Sequence, residues 1–294
     1  MKTFETDTHI INGLPMRVAQ AHGGDATPVV FLHGGSPGVT PYCAGRHIWG
    51  EVLDDFARVS RVIVPDLPGS GETPLPKGKP PSLELFGEHV FGLVEQLGVA
   101  AAHVVGHAEG GLLALWMAQA APQKIRSISI VASPAAAPSG DALPVMTLDH
   151  PPKPLWSGLS QRWTFDQLSW SHAHIDEVLL DDCMAAADGA AHRAVIESAA
   201  LDASFRTAMA QSVGRIKSRF YQIYRERGLA VPAQLVWGSD DPLSGIDRGF
   251  GLFQLIASKQ PTAAFDVINR TGHFPFREDA AAFFDIVGAF QEAS

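Results

Sequence analysis

The chain has 294 residues, 46% hydrophobic and 18% charged, enough apolar material for one large α/β domain or one domain carrying an insertion. Lys and Arg total 22 against 31 Asp and Glu, a net charge of −9, which supplies no basic footprint for nucleic acid or for an anionic membrane surface. Two cysteines, Cys43 and Cys183, make no disulfide framework, the N-terminus lacks the apolar stretch of a signal peptide, and no apolar run approaches the ~20 residues that span a bilayer, so a cytoplasmic protein is expected.

Residues 1–22 read as an antiparallel hairpin turned at Asn12-Gly13. Short apolar runs at 28–32, 61–65, 103–105, 127–132, 233–237 and 264–268 predict buried strands, and helices are expected near 83–97, 110–121, 247–258 and 279–291. This alternation predicts an α/β fold with a doubly wound, mostly parallel sheet. From 133 to 230 no buried strand is expected. That interval opens on a Pro/Ala/Ser-rich stretch (133–144), passes a second Pro-rich stretch (151–154) and then becomes helical. It reads as a helical cap of residues 133–230 inserted into a core domain of residues 1–132 and 231–294. Its aromatics Trp156, Trp163, Trp170, Phe220, Tyr221 and Tyr224 either roof an apolar pocket or hold the cap helices together, and for any one of them packing is favoured.

Ligands of open α/β sheets sit at the carboxyl ends of the strands, where this chain carries its glycine-bearing turns. These are His33-Gly34-Gly35-Ser36-Pro37-Gly38, Asp66-Leu67-Pro68-Gly69-Ser70-Gly71, Gly106-His107-Ala108-Glu109-Gly110, Gly238-Ser239-Asp240-Asp241-Pro242 and Thr271-Gly272-His273-Phe274-Pro275. The third keeps the spacing of the G-x-S-x-G nucleophile elbow, which lifts a serine on a strained strand-to-helix turn, but its central residue is Ala108.

Taken in order, these motifs resemble the α/β-hydrolase superfamily over nearly the whole chain. The resemblance implies a triad in the order nucleophile, acid, base, with the nucleophile position at Ala108, the acid at Asp241 (Asp240 the fallback) and the base at His273. His273 would take the proton of the attacking hydroxyl and Asp241 would hold its tautomer. The backbone amides of Gly35 and Glu109 would form the oxyanion hole. The Glu109 side chain reads as structural, its amide mattering more than its carboxylate. His33 and His107 read as hydrogen-bonded structural histidines. Ala108 leaves the hole and the base but removes the attacking atom. Either serine has been replaced in an inactive variant that holds substrate, or the chain is a natural pseudoenzyme or runs a nucleophile-free reaction. A lineage released from catalysis has no reason to retain both Asp241 and His273, which favours the first.

The loop 33–38 followed by Val39-Thr40-Pro41-Tyr42 looks like the H-G-x-G-P-G loop of meta-cleavage-product hydrolases, which cut a carbon–carbon bond in aromatic ring-fission products. That family often has Asn where this chain has His107, and Trp where it has Phe274. Cys183 falls where the family's cap arginine would lie, with Arg46, Arg162 or Arg219 as substitutes. The expected substrate contacts are Ser36, Tyr42, Arg46, Trp163 and Phe274. A carboxylesterase or lactonase with the same triad is the alternative, and a non-catalytic ligand-binding protein the third reading. All three need a small-molecule partner and no cofactor, and they leave homo-oligomerisation open. His172-Ala173-His174-Ile175-Asp176 superficially matches a metallo-hydrolase segment, but it reads as a polar helix start and no metal is expected.

Overall fold

The computed structural model describes residues 4–138 and 150–294. The hairpin of β1 (Glu5–Ile11) and β2 (Leu14–Ala21) turns at Asn12 and Gly13, whose φ values of 51° and 80° are the positive pair a two-residue type I′ turn requires. β3 (Ala26–Leu32) is followed by α1 (Val52–Val59), β4 (Ser60–Pro65), α2 (Leu83–Gln96), β5 (Ala102–His107), α3 (Glu109–Ala120) and β6 (Ile125–Val131). α4 (Gly158–Leu168), α5 (Glu177–Asp188), α6 (Ala190–Leu201) and α7 (Ala203–Arg227) come next, with no strand among the described residues of that interval. The chain closes with β7 (Ala233–Gly238), α8 (Ile246–Ala257), β8 (Ala264–Ile268), the single turn α9 (Pro275–Glu278) and α10 (Ala280–Glu292).

One sheet runs β1-β2-β4-β3-β5-β6-β7-β8, antiparallel as far as the β2–β4 pair and parallel beyond it. Every residue of β5 and of β7 is buried, as expected of parallel strands covered on both faces. Val104 and Val105, neighbours on β5, belong to different hydrophobic clusters, one on each side of the sheet. The six apolar runs of the sequence all fall in β3 to β8. Helix α1 was not expected. It is eight residues long and buries only Val52, Leu53, Phe56 and Ala57, too few turns for periodicity to stand out.

Helices α4, α5 and α7 begin on side-chain caps: Ser157 accepts from the Ser160 N–H, Asp176 from Leu179 and Asp202 from Ser204. The insert is joined to both faces of the core. Phe165, Leu168 and Leu179 enter the cluster of Phe31, Trp49 and Phe276, while Ile216, Phe220 and Tyr224 of α7 enter the cluster of Leu113 and Val104. The Tyr224 hydroxyl donates to the Ile256 carbonyl and the Leu83 N–H to Ser212 Oγ at 2.9 Å. Among the described residues no helix is long and apolar enough to cross a membrane.

Several histidines lie buried inside this packing. Burial pushes His103 down to about 4 and His174 down to about 3, and lowers His33 as well. Such a histidine is neutral when folded and takes up a proton on unfolding, so its contribution is intact above its unfolded pKa of about 6.5 and is lost as pH falls toward the folded value. His103 and His174 alone should lower the unfolding free energy by about 2–3 kcal/mol for each pH unit of acidification near pH 5, from the ~1.36 kcal/mol per proton per pH unit. Urea titrations at pH 7 and pH 5 measure this, and equal stability at the two would refute it.

Candidate active site

Ala108 stands alone between β5 and α3 at φ 49° and ψ −115°. That conformation costs a non-glycine residue about 1–3 kcal/mol and persists only where its surroundings enforce it. The Ala108 N–H donates to the Val131 carbonyl at 3.0 Å, and the Ala108 carbonyl accepts from Gly111 N–H at 3.0 Å and from the Ser133 hydroxyl. The flanking glycines are sterically required: a Cβ at Gly106 would lie 2.2 Å from the Gly110 carbonyl oxygen, and one at Gly110 2.2 Å from that of Leu32. The elbow is therefore fully built, strain included, around a methyl group.

The loop after β7 brings Asp241 to the loop after β8. Asp241 Oδ2 lies 3.0 Å from His273 Nδ1, and Asp241 Oδ1 accepts from the Leu243 and Ser244 amides at 2.9 and 3.1 Å. A carboxylate at Nδ1 places the ring proton there and leaves Nε2 as the acceptor. The adjacent Asp240 is instead exposed, accepting from the Ser239 hydroxyl while its N–H donates to the Thr271 carbonyl at 2.9 Å. Geometry thus separates two aspartates that are neighbours in sequence.

The backbone of His273 is fixed from both sides. Its N–H donates to the Leu168 carbonyl at the end of α4 (2.8 Å), and its carbonyl accepts from His107 Nε2 (2.9 Å). The His107 ring packs among His273, Phe274 and Phe276 at 4.6, 5.4 and 5.0 Å between centroids. Burial first, and the neighbouring His273 second, hold it neutral, well below the usual histidine range. His33 also serves the backbone, its Nδ1 donating to the Gly34 carbonyl at 2.7 Å and its Nε2 accepting from the Leu67 N–H at 2.9 Å.

The glycine loop after β3 faces the elbow. Gly35 has φ 95°, and its N–H donates to Glu109 Oε2 at 2.8 Å. The Ser36 hydroxyl donates to Glu109 Oε1 at 3.2 Å, and the Ser36 N–H to Thr40 Oγ1 at 2.7 Å. The Glu109 N–H opens α3 and has no acceptor within its own helix. The Glu109 side chain, expected to be structural, grips a loop 74 positions away, a partner no local pattern signals.

The expected substrate contacts disperse. Tyr42 and Phe274 are buried, packed on each other and on Phe165 with centroids 5.0 to 5.9 Å apart. Trp163 is half-buried on α4. The fully buried Asp66 carboxylate engages Arg46, with Glu72 at 2.7 Å. Arg46 lines a separate cavity of about 530 Å³ with Phe4, His47, Leu53 and Asp182, which includes neither Ala108 nor His273. Arg162 and Arg219 are exposed, and Cys183 is a buried free thiol 3.4 Å from His47 Nε2. Of the cap aromatics, Phe220 and Tyr224 are core, Tyr221 donates to the Ala136 carbonyl at 3.0 Å, and Trp170 is exposed. Trp156 donates to the Thr40 carbonyl at 3.0 Å and helps enclose a cavity of about 20 Å³ against Gly35, Ser36 and Tyr42. His174 pairs with Ser169 at 2.8 Å, and His172 faces Asp166 at 3.7 Å.

Sequence reasoning missed Ser133, beneath the elbow, and Glu278. Glu278 Oε1 accepts from the Gly272 N–H at 2.8 Å, and Oε2 from the Trp170 and Ser171 amides at 2.9 and 2.8 Å, tying the His273 loop to the insert. Glu278→Ala should destabilise the protein by about 2–4 kcal/mol by stranding these donors, with Glu278→Gln less severe. The urea midpoint measures it, and a change under about 0.5 kcal/mol, the range of an ordinary surface substitution, would exclude the role.

The sequence profile of the alpha/beta hydrolase fold matches residues 27–280. The chain is 23% identical over 272 residues to a 2-hydroxymuconate semialdehyde hydrolase of Pseudomonas sp. (strain CF600), covering 91% of this chain and 87% of that one. It is 33% identical over 108 residues to a 2-hydroxy-6-oxo-2,4-heptadienoate hydrolase of Pseudomonas putida, a match spanning 37% of this chain and only 38% of that relative. The structure of 2-hydroxy-6-oxo-6-phenylhexa-2,4-dienoate hydrolase from Rhodococcus sp. strain RHA1 superposes with a TM-score of 0.78 at 19% identity, covering 99% of both chains, and so shares the fold.

Proposed function

Because the chain belongs to the α/β hydrolase fold family, we propose that residues 133–230 cap a hydrolytic site where His273 and Asp241 serve a nucleophile at position 108. The substrate is a small, largely apolar molecule attacked at a carbonyl, and the 3.0 Å contact between His273 Nδ1 and Asp241 Oδ2, beside an intact strained elbow, carries the reading. With serine at 108, its oxygen would bond to the carbonyl carbon as its proton passed to His273 Nε2. Amides of Gly35 and Glu109 would hold the resulting oxyanion. As the bond from the carbonyl carbon to the leaving group broke, His273 would protonate that group. A water deprotonated by His273 would then release the acyl group from the serine. No cofactor enters these steps. The intact dyad supports reading Ala108 as a replacement for serine, so that this chain holds substrate without cleaving it.

The names of the curated relatives support a ring-fission product as substrate, and the resemblance of loop 33–38 to that of meta-cleavage-product hydrolases implies cleavage at a carbon–carbon bond. The second reading, a carboxylesterase or lactonase, is favoured by one observation. The arginines that could clamp a ring-fission carboxylate are bound elsewhere, as Arg46 is, or exposed, as Arg162 and Arg219 are. Assays of Ala108→Ser with a p-nitrophenyl ester and with a chromophoric ring-fission dienoate separate the two.

A further inference from the structure

The Gly35 amide has two claimants. In the hydrolytic reading it donates to the oxygen of the attacked carbonyl; in the structure it donates to Glu109 Oε2 at 2.8 Å. A backbone amide has one proton, so the two acceptors compete for it. The Glu109 carboxylate is seated there on both oxygens, the Ser36 hydroxyl holding the other at 3.2 Å. Gly34 makes room for it: a Cβ at that position would lie 2.5 Å from the Ala108 Cβ and 3.3 Å from Glu109 Oε2. The loop, the elbow methyl and the carboxylate therefore meet at one point.

We propose that Glu109 is a specificity-determining residue: its carboxylate caps the Gly35 donor in the empty site, is displaced by the substrate's carbonyl oxygen, and selects for acyl groups that carry no negative charge. The proposal rests on the reading of Gly35 as an oxyanion donor. A displaced Glu109 side chain stays on the first residue of α3, so an acyl carboxylate would face it near a wall of buried Tyr42 and Phe165, where like charges are poorly screened. Arg46, the cation the ring-fission reading would turn to, is held by Asp66 and Glu72.

Two readouts test this, with Glu109→Gln and Glu109→Ala as parallel variants, each checked for folding by its melting curve. In the Ala108 protein, acetate serves as the oxyanion probe, and its affinity measured by titration calorimetry should rise at least ~10-fold in both variants as the competing carboxylate is removed. In the Ala108→Ser form, the ratio of kcat/KM for p-nitrophenyl acetate over mono-p-nitrophenyl succinate should fall at least ~10-fold on Glu109→Gln. Either quantity staying within twofold in the folded variants overturns the proposal. If Ala108→Ser is inert toward both esters and toward the ring-fission dienoate, the hydrolytic reading falls and acetate binding alone decides the role of Glu109.

Discussion

Ala108→Ser should raise turnover of a susceptible substrate by at least ~10³-fold, a floor below the ~10⁴ to ~10⁶ that removing a triad member costs in serine proteases. The expectation is large because the change adds one oxygen to a site otherwise complete. The backbone already holds φ 49° and ψ −115° with a Cβ in place, so serine introduces no new backbone strain. His273 already has Nδ1 committed to Asp241, leaving Nε2 to receive the hydroxyl proton. A companion His273→Ala in the serine form should return the rate to background. Activity on the dienoate alone would establish carbon–carbon hydrolysis, and activity on the ester alone an esterase. Equal rates in the alanine and serine forms would remove the serine mechanism. Silence toward both substrates would favour a ligand-binding protein.

The sheet was legible because its inner parallel strands, buried on both faces, are short apolar runs such as Ile128–Val131 and Leu235–Trp237. The site was legible for a related reason: turns at the carboxyl ends of those strands are sterically demanding. Gly106 and Gly110 mark the elbow because a Cβ at either would strike a carbonyl oxygen. What stayed hidden depends on partners distant in sequence. The Glu109 carboxylate meets Gly35 and Ser36 across 74 and 73 positions, and Glu278 meets Trp170 and Ser171 across 108 and 107. The partner of Arg46 was hidden likewise, since only the fold brings a buried Asp66 to it across 20 positions. A charged side chain in a loop shows its type in the sequence, but its partner is chosen by packing.

The second large effect concerns the paired aspartates. In the Ala108→Ser form, Asp241→Asn should cut kcat about 10⁴-fold, as the same change does in serine proteases, while Asp240→Asn should leave it within about twofold. The reason lies in how Asp241 is held. Its Oδ1 accepts from the Leu243 and Ser244 amides at 2.9 and 3.1 Å, so an asparagine must keep its carbonyl oxygen there to avoid setting its NH₂ against two N–H donors. That orientation turns the NH₂ toward His273 Nδ1, which must then be the unprotonated nitrogen. The ring proton moves to Nε2, where the serine proton has to go. The base is thus disabled by tautomer choice with its position unchanged, and the loss should appear in kcat rather than in substrate affinity. Asp240 is exposed and its side chain accepts from the Ser239 hydroxyl, while Asp241 rather than Asp240 meets the imidazole. Equal losses from the two substitutions would mean that the 3.0 Å contact does not set the tautomer, and the mechanism built on it would fail with it.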